Sequence, residues 1–146
     1  MKDYYQKSTF EDLSDPPEPK SDPVEVNICV DASHADDKLD RKSVTGILVY
    51  VGDMLVESIS KRQKSVATST FSSEFLALKS AVEEAQGIRM LLQSIGVAGK
   101  APINIDSDSE SVLKSAANTG HELKRNCGSI AFNLVREKIA TNVINL

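Results

Sequence analysis

From residue 24 the chain reads VEVNICVD, with Val24, Val26, Ile28 and Val30 at every second position and Glu25, Asn27 and Cys29 between them. A period of two is that of a half-buried strand, and here it predicts β-structure ending at Asp31. After the polar loop DASHADDKLDRKS come two apolar runs, TGILVYV and MLVESIS, separated by Gly52 and Asp53. A Gly-Asp pair between two strand-like runs predicts a hairpin. The period then changes. Beyond the basic loop KRQKS and the Ser/Thr-rich segment TSTFSS, Phe75, Leu78, Val82, Ala85, Ile88, Leu92 and Ile95 recur at steps of three and four until Gly96. That spacing predicts one long amphipathic helix, with a hydroxyl side chain for its N-cap and a glycine for its stop.

Pro102 precedes a second alternating run, INI, which predicts a fourth strand. A short helix is expected over residues 109–117, broken by Asn-Thr-Gly. A last helix is expected from about Cys127 to Ile139, with Ile130, Leu134 and Ile139 as its apolar side, and VINL is a final strand. The order β, β, β, α, β, α, α, β is a mixed α/β layout in which a hairpin precedes the main helix.

Composition bounds this picture. A chain of 146 residues, 40% hydrophobic, suffices for one domain with a real core. It contains no apolar run of about 18 residues and no recognisable targeting segment, so the expectation is a soluble, intracellular chain, cytoplasmic or organellar, with no membrane partner. Two cysteines, Cys29 and Cys127, are too few for a disulfide framework and lack metal-ligand spacing; packing is their expected role. The net charge of −4 at first argues against a nucleic-acid partner, but residues 1–25 hold seven acids and three lysines, and residues 26–146 hold fourteen of each sign. The acidity therefore belongs to a Pro-rich N-terminal arm, assigned to 1–23, and the domain assigned to 24–146 is neutral and free to present a basic face.

The acids of that domain have suggestive places. Asp31 closes the first strand, Glu74 opens the long helix, and Asp106 or Asp108 closes the fourth strand. If strands one and four are parallel neighbours, as a crossover through a helix prefers, their C-terminal ends share one edge of the sheet. Three carboxylates converging there repel unless cations neutralise them, and hard oxygen ligands favour Mg²⁺ or Mn²⁺. Two such ions are the arrangement for hydrolysing a phosphodiester. Acids at strand ends and in first helical turns also act as caps and solvated charges, and the pattern alone leaves both roles open.

The run from Asp31 to Leu92, with its Asp-Ala, Asp-Arg-Lys-Ser leading into Thr-Gly, Lys-Arg-Gln-Lys loop and Ser/Thr block before Glu74-Phe-Leu-Ala-Leu, is followed by INIDSDSESVL. Together these segments resemble the ribonuclease H domain of copia-type LTR retrotransposon polyproteins, over nearly all of residues 26–146. The resemblance implies a ribonuclease H-like fold, a mixed five-stranded sheet with flanking helices. It implies cleavage of the RNA strand of an RNA/DNA hybrid, with two Mg²⁺ or Mn²⁺ ions held by Asp31, Glu74 and Asp108, beside a reverse transcriptase domain or within a larger assembly. Asp106 is the rival of Asp108, since both share one strand parity. Lys61, Arg62 and Lys64 form a compact basic loop that could meet phosphates, as could Lys124 and Arg125; an ordinary surface also tolerates these charges.

The chain departs from that family at several points. Ser72 stands where the family usually has an acid, Ser58 where it has an aromatic, and the segment HELKRNCGSIAF keeps only His121, Lys124 and Arg125 of a longer basic stretch. Related domains carry a fourth carboxylate on a helix past the last strand, and the sequence stops at Leu146; the expectation is a domain truncated at its C-terminus. His34, beside the acidic loop, is read as surface or as a substrate contact, and His121 as surface or as part of the substrate side. Against the nuclease stands an alternative of another class, a catalytically silent fold serving as a binding or structural subunit. A third is another nuclease or transposase of the same fold.

Overall fold

The computed structural model describes residues 18, 22–34, 40–117 and 129–146. Its elements follow the expected order: β1 (Val26–Ser33), β2 (Val44–Val51), β3 (Met54–Arg62), α1 (Thr70–Ser94), β4 (Ile103–Ser107), α2 (Glu110–Ala117), α3 (Ser129–Ala140) and β5 (Ile144–Asn145). One five-stranded sheet has the order β3-β2-β1-β4-β5. The β1–β2 and β2–β3 pairs are antiparallel, while β1–β4 and β4–β5 are parallel. The hairpin turns at Gly52, whose positive φ of 59° is the left-handed conformation that glycine adopts without a steric penalty.

Alternation decides which face is covered. Val26, Ile28, Val30 and Ala32 of β1, Ile47 and Val49 of β2, and Ile103 and Ile105 of β4 are buried. They meet α1, which packs across β1, β2 and β4 with Phe75, Leu78, Ala81, Val82 and Ala85 buried. Helix α3 packs on α1 through Phe132, whose ring lies 5.3 Å from that of Phe75.

Four sequence expectations need correction. β1 runs two residues past Asp31, because its antiparallel ladder with β2 continues to Ser33↔Val44, while Val24 makes only an isolated bridge to Gly99. Cys29 is exposed and does not pack in the core, since odd-numbered β1 positions point away from α1. Ile95, at the end of the long helix, is 62% exposed. The buried side of α3 is Phe132 and Val135, with Ile139 half-buried, and Ile130 is 85% exposed. Steps of three and four from Phe132 keep one stripe on α1, and Ile130 falls outside it. The arm assigned to 1–23 lies almost wholly outside the described residues, as do His121, Lys124, Arg125 and Cys127.

Candidate active site

The site forms where β4 leaves the sheet. The last β1–β4 pair is Val30↔Ser107, so Asp31 is the first β1 residue past the end of that pairing. A parallel sheet opens a crevice at such a place, beyond the carboxyl end of a strand. Asp108 stands just past the end of β4 and two residues before α2. Glu74 reaches the crevice from the second turn of α1, whose start is fixed by Ser69: the Ser69 Oγ accepts the Ser72 N–H at 3.2 Å, satisfying one of the free donors of the first turn.

Asp31, Glu74 and Asp108 each offer an oxygen within 4.8 Å of the other two. Asp106 does not join this group; it pairs with Cys29, two rungs short of Asp31, and is exposed. Strand parity could not separate the two aspartates, because parity no longer governs a residue beyond the strand end. Asp31 is exposed, and its Oδ1 accepts the Ala32 N–H at 2.7 Å. Glu74 is only 9% exposed. Burial first, then the neighbouring Asp108 and Asp31 carboxylates, push its pKa up to about 6, while the Ala32 N–H pulls the other way. Its Oε2 is buried without a hydrogen-bond partner.

These features suit a divalent cation. The donor set is three carboxylates, the hard ligands that Mg²⁺ and Mn²⁺ prefer. None of the three makes an ion pair among the described residues. An orphaned, buried carboxylate oxygen facing two further acids lacks the positive charge that would make its burial favourable.

The bases expected in a loop sit on the same edge, but Lys61 and Arg62 are the last residues of β3, where the ladder with β2 runs on to Val44↔Arg62, and only Lys64 lies past the strand. Ala32 pairs with Thr45 and Thr45 with Lys61, so these bases lie two strands away from β1, roughly 10 Å by sheet spacing. Lys61 and Lys64 are exposed, and Arg62 forms an exposed ion pair with Asp40 at 3.3 Å. They border a groove of about 290 Å³ between β3 and α1, to which Thr45, Gln63, Lys79 and Glu83 also contribute. His34 is exposed, with its Nδ1 3.3 Å from the Ser73 Oγ. Sequence reasoning passed over Ser73, Thr45 and Gln63. Their signal is weak, because a lone glutamine among bases and a serine in a hydroxyl-rich run look like ordinary surface.

A mixed five-stranded sheet in the order β3-β2-β1-β4-β5, with its main helix packed on one face, is a ribonuclease H-like fold. Solved structures agree on that fold. The N-terminal RNase H domain of a Mycobacterium tuberculosis protein superposes with a TM-score of 0.55 at 10% identity, covering 81% of this chain and 82% of that one. A ribonuclease H of the halophilic archaeon Halobacterium salinarum gives 0.53 at 16% identity, covering 83% of each chain. In sequence the chain is similar to the retrovirus-related Pol polyprotein from transposon RE1 of Arabidopsis thaliana, 25% identical over 127 residues and 87% of this chain. It is 29% identical over 119 residues, 82% of this chain, to that from transposon TNT 1-94 of Nicotiana tabacum. The chain spans about 9% of the length of these relatives. No protein-family model matches it. By fold and by sequence together, the chain resembles the ribonuclease H domain of a retrotransposon polyprotein. Among the described residues, no helix is long and apolar enough to cross a membrane.

Proposed function

We propose that the chain is a retroelement-derived ribonuclease H of the copia type, which cuts the RNA strand of an RNA/DNA hybrid by metal-dependent hydrolysis. The observation that carries this reading is the convergence of Asp31, Glu74 and Asp108, with one Glu74 oxygen buried and unpartnered. Asp31, Glu74 and Asp108 would hold Mg²⁺ or Mn²⁺, two ions in the active form. When bound, such ions activate water and stabilise the leaving oxygen of a phosphodiester.

The protein residues do the remainder. Asp31 and Asp108 are exposed and offer their oxygens to the crevice, while α1 holds Glu74 from below. Lys61, Arg62 and Lys64 take phosphates of the hybrid at a distance of two strands from the acids; Lys124 and Arg125, outside the described residues, are assigned phosphate contacts from the sequence alone. Backbone and 2′-hydroxyl contacts give little sequence preference, as expected for an enzyme that removes template RNA. Residues 24–146 form the working domain, and a reverse transcriptase domain is the natural neighbour, a reading supported by the polyprotein relatives.

The test is cleavage of an end-labelled RNA/DNA hybrid by the purified 146-residue chain with Mg²⁺ or Mn²⁺, beside Asp31→Asn. Metal-dependent cutting of the RNA strand that vanishes in the variant is the expected result. A well-folded chain that never cuts would refute the nuclease and favour a binding or structural subunit.

A further inference from the structure

Gln63 directly follows the last residue of β3, and its main-chain N–H extends the β2–β3 ladder by donating to the Ser43 carbonyl at 2.8 Å. Its side chain differs from those of Lys61, Arg62 and Lys64 around it. The carboxamide turns inward, and Nε2 donates twice, to Thr45 Oγ1 at 3.0 Å and to the Ser73 carbonyl at 2.9 Å. Thr45 lies on β2, 5% exposed, opposite Ala32. Ser73 is fully buried in α1, and its carbonyl belongs to the peptide unit that carries the Glu74 N–H. A single amide thus ties the sheet rung beside Asp31 to the helical residue before Glu74.

One other directional contact reaches Glu74 from β1, the Ala32 N–H facing its carboxyl, but that bond holds the end of a side chain and not the helix main chain. Much of the packing of α1 on β1 is apolar, through residues such as Leu78, Val82, Ile28 and Val30, and apolar packing is non-directional. Ser73 Oγ also meets His34 Nδ1, but His34 is exposed and beyond the end of β1. A cation site needs its ligands held to within about 0.5 Å, a tolerance that hydrogen bonds of fixed geometry provide. Stability alone does not call for an amide here. Gln63 Oε1 is buried without a partner, which is unfavourable, and a leucine of similar volume would leave no such atom.

We propose that Gln63 is a positioning residue of the candidate metal centre, its carboxamide setting the distance between the Glu74 carboxyl on α1 and Asp31 on β1, and thereby the affinity for a divalent cation. This rests on the reading of the three acids as a cation site. Outer-shell partners of this kind typically change metal affinity by about 10- to 100-fold.

The experiment is calorimetric titration of the full chain with Mn²⁺, in parallel with a melting curve in chelator. Gln63→Leu is expected to bind Mn²⁺ at least ~10-fold more weakly while melting as a folded protein. Ser80→Ala, which removes a hydroxyl-to-carbonyl bond of 3.0 Å elsewhere on α1, is expected to bind as wild type does. Equal affinity of Gln63→Leu and wild type overturns the inference, as does an equal loss in Ser80→Ala, which would mean general softening of the helix. Should Gln63→Leu fail to fold, Thr45→Val carries the test, since it cuts only the sheet end of the link. Several-fold weaker binding then supports the inference and unchanged binding overturns it. A folded wild-type chain that binds no Mn²⁺ overturns the site reading itself, and the role of Gln63 falls with it.

Discussion

Replacing Glu74 by glutamine should stabilise the cation-free protein while abolishing its proposed activity. The reason is the raised pKa of that carboxyl, about 6 against an ordinary 4.5, caused by burial and then by Asp108 and Asp31. Below about pH 4 the folded and unfolded chains both hold the proton, and the group contributes nothing to pH dependence. As pH rises from about 4.5 to about 6, the unfolded chain releases its proton first, so the folded state loses stability across that window. Above it the loss is complete, at roughly 2 kcal/mol from 1.36 kcal/mol per pH unit. The neutral amide escapes both burial of charge and repulsion, and its oxygen can still accept the Ala32 N–H. Urea denaturation in chelator should therefore show Glu74→Gln more stable than wild type by about 1–2 kcal/mol at pH 7.5 and indistinguishable at pH 4. Millimolar Mn²⁺ should stabilise wild type by mass action and leave the variant unmoved. A variant no more stable than wild type at pH 7.5, or one whose advantage persists at pH 4, would refute the reasoning.

Other consequences are as direct. Asp108→Asn should abolish metal-dependent cutting of a hybrid, whereas Asp106→Asn should retain it within a few-fold; the reverse ranking in a gel cleavage assay would move the site. Lys61→Ala with Lys64→Ala should weaken hybrid binding and lower the slope of log affinity against log salt by about two, measured by fluorescence anisotropy at several salt concentrations. Ser69→Ala removes the cap of α1 and should cost about 1 kcal/mol in urea denaturation. Leu78→Ala, at a fully buried position under the sheet, should cost about 2–5 kcal/mol in the same measurement.

The elements were legible because their periods are strong. Alternation along Val26–Val30 marks a sheet face, and the steps from Phe75 to Leu92 mark one helix side, both consequences of backbone geometry that act within a few residues. The hairpin was legible from Gly52, where the turn needs a positive φ. Less visible was anything set by what packs opposite. Ile130 and Phe132 are both apolar and both helical, and only contact with Phe75 distinguishes the buried one. Cys29 reads as a core thiol until β1 is seen to have its helix on the other side.

The candidate site divides in the same way. Asp31 and Glu74 could be named from strand end, helix start and resemblance. The choice of Asp108 over Asp106 could not be made from strand parity, since it depends on where β4 ends relative to β1, a register set between strands far apart in sequence. The link from Gln63 to Thr45 and Ser73 was likewise beyond reach, because it joins positions 18 and 10 residues apart through a side chain with no period of its own. What the amino-acid order determined by itself is local: which residues alternate, where helices cap, which acids stand at element ends. Tertiary structure alone decided which of those acids meet and how deeply Glu74 is buried. Convergence and desolvation are properties of chains brought together in space, and no short stretch of sequence contains them.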